Sequence, residues 1–447
     1  MLSRSAARLR RTEVAWLLDK EWRELLSSRA WWVMLVLIGP LVGVSFISAV
    51  STYAELSGLN GTSAGVGQAF SPLIGVWAPT FSACELVAAF LFPFVGIRLV
   101  AGDRQSGALK LELQHPMPPL VRIAVKAAVL LAGWVIATAA PVLAVLMWRH
   151  YGGSIYPPEL GAVIVGHLLN AGLTVALAAA TASITEHPST AAILTLAVTV
   201  GTWIINFVAA VHGGIWAQIA EYTPTAMVAE FQHGLIRLDV VLIATVLIAT
   251  GLMLAAIWIR LGVAVRRRVH ESIALAAAAI ALMMLGSFAY PSWDVSEARI
   301  NSFSEPQEEA LKGIHGPLAI EAYLAPEDPR RVDLENKAIA KLRRVFPRLQ
   351  VHYVSRTSTG LFEQTADHYG EIWYEAGGRK VMSRSTTADG VLEAIFSLAG
   401  VTPPDETDEM FGGHPLAVPP RGATALFYGI WPATMLAAGV LVRRRNV

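Results

Sequence analysis

Three short patterns have the residue types of a catalytic or nucleotide-binding site, and each lacks a part that the chemistry needs. Gly102 and Gly107 have the spacing of a phosphate-binding loop, but Ala108 stands where that loop places a lysine against the phosphates. The stretch Gly61–Gly65 matches the G-x-S-x-G pattern of a serine nucleophile, but a Gly- and Ser-rich loop surrounds it instead of a strand and a helix. The pair His270–Glu271 lacks the second histidine of a zinc-protease motif. We therefore expect no enzyme activity and no catalytic, cofactor-binding or metal-binding residue in this chain.

Glu85 is the one acidic residue that clearly lies inside a long apolar run. Ionisable side chains within a membrane span are usually functional, because leaving water is costly for them. Two interpretations stay open: Glu85 lies within the membrane, or it lies at the outer surface of a span that begins later than Pro79. Trp203 and Asn206 are one helical turn apart in another apolar run, and ordinary helix packing is an equally good explanation for them.

The composition indicates a membrane protein. Of the 447 residues, 54% are hydrophobic and only 15% are charged, and the mean hydropathy is +0.50. Soluble domains carry about 25% charged residues. The net charge of +1 argues against a role in binding nucleic acid. Cys84 is the only cysteine and lies in an apolar run, so neither a disulfide framework nor a thiolate metal site is possible.

A helix needs about 20 mostly apolar residues to cross a bilayer. Eight runs of the sequence satisfy this requirement, and a buried soluble helix is the alternative for the run at 272–290. The eight runs are Ala30–Val50, Pro79–Ala101, Val121–Trp148, Leu160–Ile184, Ser189–Val211, Val240–Val263, Ser272–Tyr290 and Ala423–Val442. The sequence therefore predicts a polytopic α-helical membrane protein with about eight transmembrane helices.

Basic clusters predict the orientation of these helices. Arginines and lysines are frequent before residue 30, in the loop at 102–120, at Arg266–Arg268 and at Arg443–Arg445. Membrane loops rich in Lys and Arg stay in the cytoplasm, and one orientation places all these clusters there. We therefore expect a multi-pass protein of the inner (plasma) membrane with both termini cytoplasmic. A cleaved signal peptide is the alternative, but the first apolar run exceeds the 7–15 residues of such a peptide.

Two further segments have the pattern of helices at a membrane surface. Within Glu13–Arg29, apolar residues recur on one helical stripe, whereas charged residues lie off it. The stripe is Val14, Leu18, Trp22, Leu25 and Leu26, and the residues off it are Lys20, Glu21, Arg23 and Glu24. We expect an amphipathic helix on the inner membrane surface, with a short cytoplasmic helix as the alternative. His212–Leu238 is too polar to span the membrane. We expect short helices that enter the outer leaflet, with an ordinary amphipathic loop as the alternative.

The segment Pro291–Gly422 is polar, and the predicted orientation places it outside the cytoplasm. Alternating residues predict strands, a hairpin is indicated at Ala376–Gly378, and helical patterns flank them, so we expect one small α/β domain without catalytic residues. The charged helix Arg330–Arg348 is either a solvated face or a docking surface for an acidic partner or anionic headgroups. The residues of that candidate outer docking face are Lys341, Arg343 and Arg344.

The first part of the chain resembles a known family. The stretches KEWRELLSSRAWW and AGDRQSGALKLELQHPMPPLVRIAVK, and the order of spans and loops over residues 10–265, are similar to the six-span core of type-2 ABC exporter permeases. The resemblance implies that the loop at 102–120 docks on a dimer of a separate ABC ATPase subunit, which carries ATP and Mg. The coupling residues would be Asp103, Arg104, Gly107, Leu109, Leu111 and Leu113.

The family also implies that two permeases pair, so the partner is a second copy or a related permease. Its second and fifth spans face each other across the dimer and line the route. The candidate translocation path is then Glu85, Phe90, Phe94, Trp203 and Asn206.

The second part resembles the auxiliary subunits of gliding-motility-type ABC transporters, which have an extracytoplasmic α/β domain. This resemblance rests on three stretches: RINSFSEPQEEALKGIHGPLAIEAYL, PEDPRRVDLENKAIAKLRRVFPRLQVHYV and GEIWYEAGGRK. The expected organisation is a cytoplasmic N-terminus with an interfacial helix (1–29), a permease core (30–265), a seventh span (266–290), the outer domain with its tether (291–422), and an eighth span with a basic tail (423–447).

The expected function is that of a permease subunit of an ATP-binding cassette exporter or extractor, in contact with the lipid bilayer and with a periplasmic or envelope partner. The first alternative is a membrane scaffold that transports nothing and whose outer domain assembles or regulates an envelope complex. A secondary transporter is the second alternative, although no internal repeat of the kind found in such proteins is evident. Neither the substrate nor the direction of transport follows from the sequence.

Overall fold

The computed structural model describes residues 2–56, 71–108, 112, 117–212, 215–289, 291–297, 299–314, 317–325, 328–346, 349–354, 368–403 and 420–445. The chain folds into two compact units. The first comprises Met1–Ile204, Ala220–Pro291 and Gly412–Val447, and the second comprises Ile205–Ile219 and Ser292–Phe411.

Eight helices of the described chain are long and apolar enough to cross a membrane, so the prediction of a polytopic helical membrane protein is confirmed to that extent. We number them in chain order as spans 1 to 8. They are Arg29–Glu55, Leu73–Gln105, Pro119–His150, Pro157–Ile184, Pro188–Ala209, Leu238–Trp258, Val265–Gly286 and Ala425–Arg444. Span 2 begins before the expected Pro79, because Leu73–Trp77 forms a π-helical turn that continues into the helix.

Two spans are interrupted where proline removes a backbone donor. Span 2 consists of Ala78–Phe90 and Phe92–Ser106, and Pro93 follows its break. Span 3 consists of Pro119–Ala137 and Ala139–His150, and Pro141 follows its break. A proline within a helix cannot donate to the carbonyl four residues earlier, which is why the helix bends or breaks at such points.

The other elements that precede residue 291 are short, apart from the N-terminal helix Leu2–Ser27. Helices Ile215–Ala220 and Pro224–Gln232 and the strand β1 (Leu235–Arg237) lie between spans 5 and 6. The expectation of short helices in this segment is confirmed. The helical bounds of the other spans are Arg29–Leu56, Pro157–Ile184, Pro188–His212, Leu238–Trp258, Val265–Gly286, and Ala425–Ile430 (a π-helical turn) with Trp431–Arg445.

Small residues allow spans to pack closely. A Cβ at Gly251 of span 6 would lie 3.0 Å from the backbone oxygen of Ala176 in span 4. In span 1, Gly39 accommodates the ring of Trp431 and Gly43 accommodates Phe427, and both aromatic residues belong to span 8. The Trp431 indole also donates a hydrogen bond of 2.7 Å to the carbonyl of Leu35. Close approach through glycine is the usual way in which membrane helices associate, since lipid supplies no hydrophobic driving force.

The second unit contains a four-stranded sheet in the order β4-β3-β5-β6. The strands are β3 (Ala319–Ala322), β4 (Gln350–Tyr353), β5 (Ile372–Ala376) and β6 (Arg379–Ser383), preceded in the chain by a short strand β2 (Ser292–Asp294). Strands β3 and β4 are parallel, with Ala319 opposite Gln350, and the other pairs are antiparallel. The expected hairpin joins β5 to β6. Its turn residues Gly377 and Gly378 have φ of 58° and 78°, a conformation that favours glycine.

Helices cover one face of this sheet. They are Glu305–Lys312, Pro329–Leu334 continuing through the π-helical turn Glu335–Ile339 into Ala340–Val345, and Ala388–Ala399. Alternate strand residues such as Ile320 and Tyr374 join Leu342 and Phe396 in the core. The other face is open, and Glu321, His352, Trp373 and Lys380 line a shallow depression of about 160 Å³ there.

Candidate functional site

A group of buried and half-buried charged side chains joins four segments of the first unit, and we call it the ionic cluster. It contains Lys20, Glu21 and Glu24 of the N-terminal helix, Asp103 at the end of span 2, Glu112 of the following connector (residues 102–120), and Lys126 near the start of span 3. Residues that are distant in sequence therefore meet where the connector joins the two spans.

The two lysines hold the cluster together. Lys20 Nζ lies 3.0 Å from both carboxylate oxygens of Asp103, 3.1 Å from Glu21 Oε1, and within ion-pair distance of Glu24 and Glu112. Lys126 Nζ lies 2.6 Å from Glu21 Oε1 and also pairs with Asp103. Each ammonium therefore bridges the N-terminal helix and the end of span 2.

Burial makes these ion pairs consequential. Glu21 is 0% exposed, and Asp103, Lys126 and Glu112 are also buried. Exposed ion pairs contribute about 0–1 kcal/mol, whereas removing one partner of a buried pair costs about 3–5 kcal/mol because the other charge is left without compensation. The cluster is therefore strongly sensitive to the loss of a single charge.

The electrostatics of the N-terminal helix follow from this burial. Burial raises the pKa of the Glu21 carboxyl, although the charge of Lys126 and the hydrogen bond from it act in the opposite direction. Burial and the charge of Asp103 also raise the pKa of Glu24. For Lys20, burial would lower the pKa, but the hydrogen bond to Glu112 and the nearby carboxylates outweigh it and raise the pKa. The charged form of Lys20 is therefore favoured at neutral pH.

The three carboxylates of Glu21, Asp103 and Glu112 converge to within 4.8 Å of one another, as ligands of a metal ion would. Hard cations such as Ca²⁺ and Mg²⁺ prefer oxygen ligands of this type. The ammonium of Lys20 contacts all three carboxylates, however, and occupies the position in which a cation would bind. The arrangement is that of an ion-pair network rather than of a metal centre.

The sequence pattern of the N-terminal helix does not separate its charged residues, whereas the structure does. Leu17, Glu21 and Leu25 form the face that is buried in the protein. On the stripe expected to contact lipid, Leu18 is 46% exposed, while Arg23 lies on the polar side and pairs with Asp19 at 2.8 Å. The helix therefore has three faces: one toward the protein, one apolar and one polar. A glutamate between two buried leucines at helical spacing is the signal that would have indicated Glu21.

The predicted coupling residues are only in part described. Asp103 belongs to the ionic cluster, and Arg104 Nη1 donates a hydrogen bond of 2.5 Å to the carbonyl of Thr185, just after span 4. Gly107 ends the helix of span 2 with φ of 79°. Residues Leu109, Leu111 and Leu113 lie outside the described part of the chain. The described residues thus connect the start of the connector to three neighbouring elements.

The predicted path residues lie partly together. Glu85 and Trp203 line the same small cavity of about 60 Å³ between spans 2, 4 and 5, with Asn170 and Thr174 of span 4 among the other lining residues. The ring of Phe90 packs edge-on against that of Trp203 at 5.3 Å. Spans 2 and 5 therefore touch within one chain at this point.

The other two path residues lie away from this cavity lining. Phe94 is exposed, and Asn206 is half-buried one turn beyond Trp203.

Glu85 is half-buried, forms a hydrogen bond with Thr225, and lies 12 residues after the start of span 2, about 18 Å along the helix. This distance favours a position inside the span over one at its end.

His167 of span 4 is a buried polar residue that the sequence analysis does not indicate. Its Nε2 lies 3.2 Å from Gln232 Nε2, and its ring lies 5.5 Å from the ring of Phe81. Gln232 ends the short helix Pro224–Gln232, so this contact holds that helix against the spans. No periodicity in the sequence distinguishes such a histidine from one that faces lipid.

The three residues of the predicted docking face have different surroundings. Lys341 is half-buried and turned into the domain, where its Nζ donates a 3.0 Å hydrogen bond to the carbonyl of Ser302 and lies 5.7 Å from the Phe303 ring. Burial lowers its pKa. Arg343 pairs with Glu335 at 2.5 Å, and Arg344 is half-buried. The expectation of one exposed basic surface is therefore wrong for Lys341. Docking through Arg343 stays a prediction.

The sequence matches no protein-family model, and no characterised protein matches it. The class is therefore given by the fold alone. Among the described residues, eight helices are long and apolar enough to cross a membrane, which indicates a helical membrane protein, and the ionic cluster is a buried polar site within it.

Proposed function

We propose that this chain is the membrane-embedded permease subunit of an ATP-driven exporter or extractor, and that a separate ABC ATPase subunit supplies ATP and Mg. The observation that supports it is the ionic cluster. A short charged connector between two spans is attached through Asp103 and Glu112 to Lys20 of the N-terminal helix, and through Asp103 to Lys126 of span 3. Such a connector can transmit a force applied by a partner.

The transmission follows the contacts. Displacement of the connector carries Asp103 with it, and Asp103 shares its carboxylate between Lys20 and Lys126. The N-terminal helix and span 3 then have to move together or break a buried ion pair. Arg104 extends the same movement to the end of span 4 through Thr185. Interfaces of this kind have discrete arrangements rather than continuous ones, so a small displacement is converted into a change of state.

The proposed orientation places the connector, Arg266–Arg268 and the tail Arg443–Arg445 in the cytoplasm, because basic segments remain on that side. The segment Pro291–Gly422 then lies outside. Two copies of the permease, or this chain and a related one, surround the path. Glu85 and Trp203, which line the small cavity beside Phe90, belong to its wall.

The alternative, a scaffold that transports nothing, is favoured by one feature of the second unit. The open face of its sheet presents Glu321, His352 and Trp373, which is a suitable surface for a partner protein. The two functions differ in what they require of the connector. A permease needs an ATPase at the connector, whereas a scaffold needs only the outer sheet.

A cross-linking experiment tests the proposal. In a Cys84→Ser background, Ala108→Cys places a thiol on the connector and Lys380→Cys places one on the outer sheet. We expect the cysteine at 108 to cross-link to an ABC ATPase subunit, identified by mass spectrometry, and the purified complex to hydrolyse ATP in a vanadate-sensitive manner. The variant at 380 is the matched control. If the connector yields no ATPase while the outer sheet captures a partner, the scaffold function is correct and the permease proposal is wrong.

A further inference from the structure

An apolar groove runs along the first unit between spans 1 and 8. Its volume is about 360 Å³, and its walls include Trp32, Val33 and Val36 of span 1 and Leu436 and Val440 of span 8. The groove is independent of the ionic cluster and of the cavity beside Glu85. It has room for a chain-like apolar ligand.

The packing of the two spans explains why the groove exists. Trp431 and Phe427 of span 8 fill the spaces over Gly39 and Gly43, so the two helices touch at that level. Nearer to Arg29, apolar side chains of both helices, including Val33, Val36 and Leu436, line the groove. Gly439 of span 8 accommodates the indole of Trp32, since a Cβ at position 439 would lie 3.0 Å from that ring. The groove therefore lies beside aromatic contacts at Trp431 and at Trp32.

Two arginines lie at one end of the groove. Arg29 begins span 1 and Arg443 lies near the end of span 8, so the antiparallel helices bring both to the same side of the unit, where both line the groove. Both side chains are exposed, and neither has an ion-pair partner among the residues that the structure describes. An anion is the ligand that this end of the groove attracts.

We propose that the groove binds an anionic phospholipid. One acyl chain lies between spans 1 and 8, and the phosphate is held by Arg29 and Arg443. An apolar groove that ends in a pair of guanidinium groups matches the acyl chain and the phosphate of such a lipid. Planar guanidinium groups are well suited to phosphate oxygens. A zwitterionic lipid fits the channel as well but lacks the net charge, so the groove discriminates by headgroup. Basic pockets between membrane helices bind lipid headgroups by this chemistry.

A second copy of the chain is a less suitable occupant. A two-fold symmetric contact brings the same residues of both copies together. If the groove were that contact, the arginines of both copies would lie at the same level of the membrane, and their like charges would oppose the association. The positive charge of Arg29 and Arg443 therefore favours a lipid over a symmetric dimer as the occupant of the groove.

Native mass spectrometry of the full-length protein, titrated with dioleoyl phosphatidylglycerol or dioleoyl phosphatidylcholine, tests the proposal. A basic residue near an anionic headgroup contributes about 1 kcal/mol, which corresponds to about fivefold in affinity. We expect Arg29→Ala and Arg443→Ala each to weaken phosphatidylglycerol binding about fivefold, and the double variant about 25-fold, with little effect on phosphatidylcholine. Arg444→Ala is the matched control, since Arg444 is also exposed in the tail but does not line the groove.

Two further measurements decide which chemistry is responsible. Leu436→Trp, which fills the channel, should lower the binding of both lipids. Inorganic phosphate should not displace bound phosphatidylglycerol, because it lacks the acyl chain. Equal effects of Arg443→Ala and Arg444→Ala would overturn the proposal, as would efficient displacement by phosphate. So would a Leu436→Trp variant that binds lipid normally but loses a dimer present in the wild type.

Discussion

The charge of Lys126 is the most sensitive point of the ionic cluster. Its ammonium contacts Glu21 and Asp103, and all three side chains are buried. Replacement by methionine keeps an unbranched side chain of similar length but removes the charge. Lys20 still contacts both carboxylates, but burial prevents water from replacing the second cation, so we expect Lys126→Met to cost up to about 3–5 kcal/mol.

The assay is thermal unfolding of the purified full-length protein in one detergent. With an entropy of unfolding of about 2.1 cal/mol/K per residue, the expected cost corresponds to a fall in Tm of roughly 3–5 °C for a chain of 447 residues. Arg23→Met is the matched control, since it removes the cation of the exposed pair with Asp19, and it should change Tm little. The double variant Glu21→Met/Lys126→Met removes one charge of each sign. It should regain most of the lost stability, because replacing a buried ion pair with apolar side chains is often neutral or stabilising.

This pattern separates electrostatics from packing. If Lys126 stabilised the fold only through its methylene groups, Lys126→Met would be harmless and the double variant would gain nothing. A fall in Tm for Lys126→Met no larger than that of Arg23→Met would refute the assignment of a buried, mutually dependent ion-pair network. ATP hydrolysis with the partner ATPase gives a second result. If the network transmits force, the double variant should be stable yet poorly coupled.

Three further predictions concern other parts of the molecule. Labelling of single cysteines from outside intact cells should modify position 380 but not position 444, and labelling of 444 alone would reverse the proposed orientation. Gly43→Leu should lower Tm by several degrees, because a Cβ there would lie 2.4 Å from Phe427, and an unchanged Tm would show that the two spans separate readily. The hydrogen bond and charge of Arg330 lower the pKa of Asp328. The ionised Asp328 carboxylate therefore stabilises the fold above its ordinary pKa of 3.8, and this stabilisation is lost as the pH falls through the lower pKa of Asp328 in the folded state. In the wild type, hydrogen exchange of the helix Pro329–Leu334 should become faster as the pH falls. In Asp328→Asn, the same fall in pH should not change it.

The spans were predictable because each depends on local composition alone. A run of about 20 apolar residues has few alternatives to a membrane helix. The hairpin from β5 to β6 was predictable for a similar reason, since Gly377 and Gly378 supply the positive φ that its turn needs. In both cases the information lies within a short stretch, and no distant residue has to be known.

The ionic cluster was not predictable, because it depends on which distant residues meet. Lys20 and Glu112 are 92 positions apart, and nothing in the neighbourhood of either residue indicates the other. Of the stripe expected on the N-terminal helix, Leu18 is exposed but Leu25 is buried, because a helix in a membrane protein also has a side toward the protein. Glu21 lies on that side. Lys341 illustrates the same limit, since its place in a run of basic residues conceals its contact with Ser302.

Stability alone does not explain why charges, rather than leucines, hold the N-terminal helix to the connector. Apolar residues of similar volume would hold these elements at least as well, since desolvation offsets much of the attraction in a buried ion pair. Ion pairs differ from apolar contacts in having defined partners. The ammonium of Lys20 is paired with the carboxylates of Glu21, Asp103 and Glu112, so sliding the helix by one turn would break these pairs at once. A junction built in this way has few permitted arrangements, whereas an apolar junction has many that are nearly equal in energy. Few permitted arrangements are what a force-transmitting connector requires, because its displacement must reach span 3 without being absorbed by small local shifts.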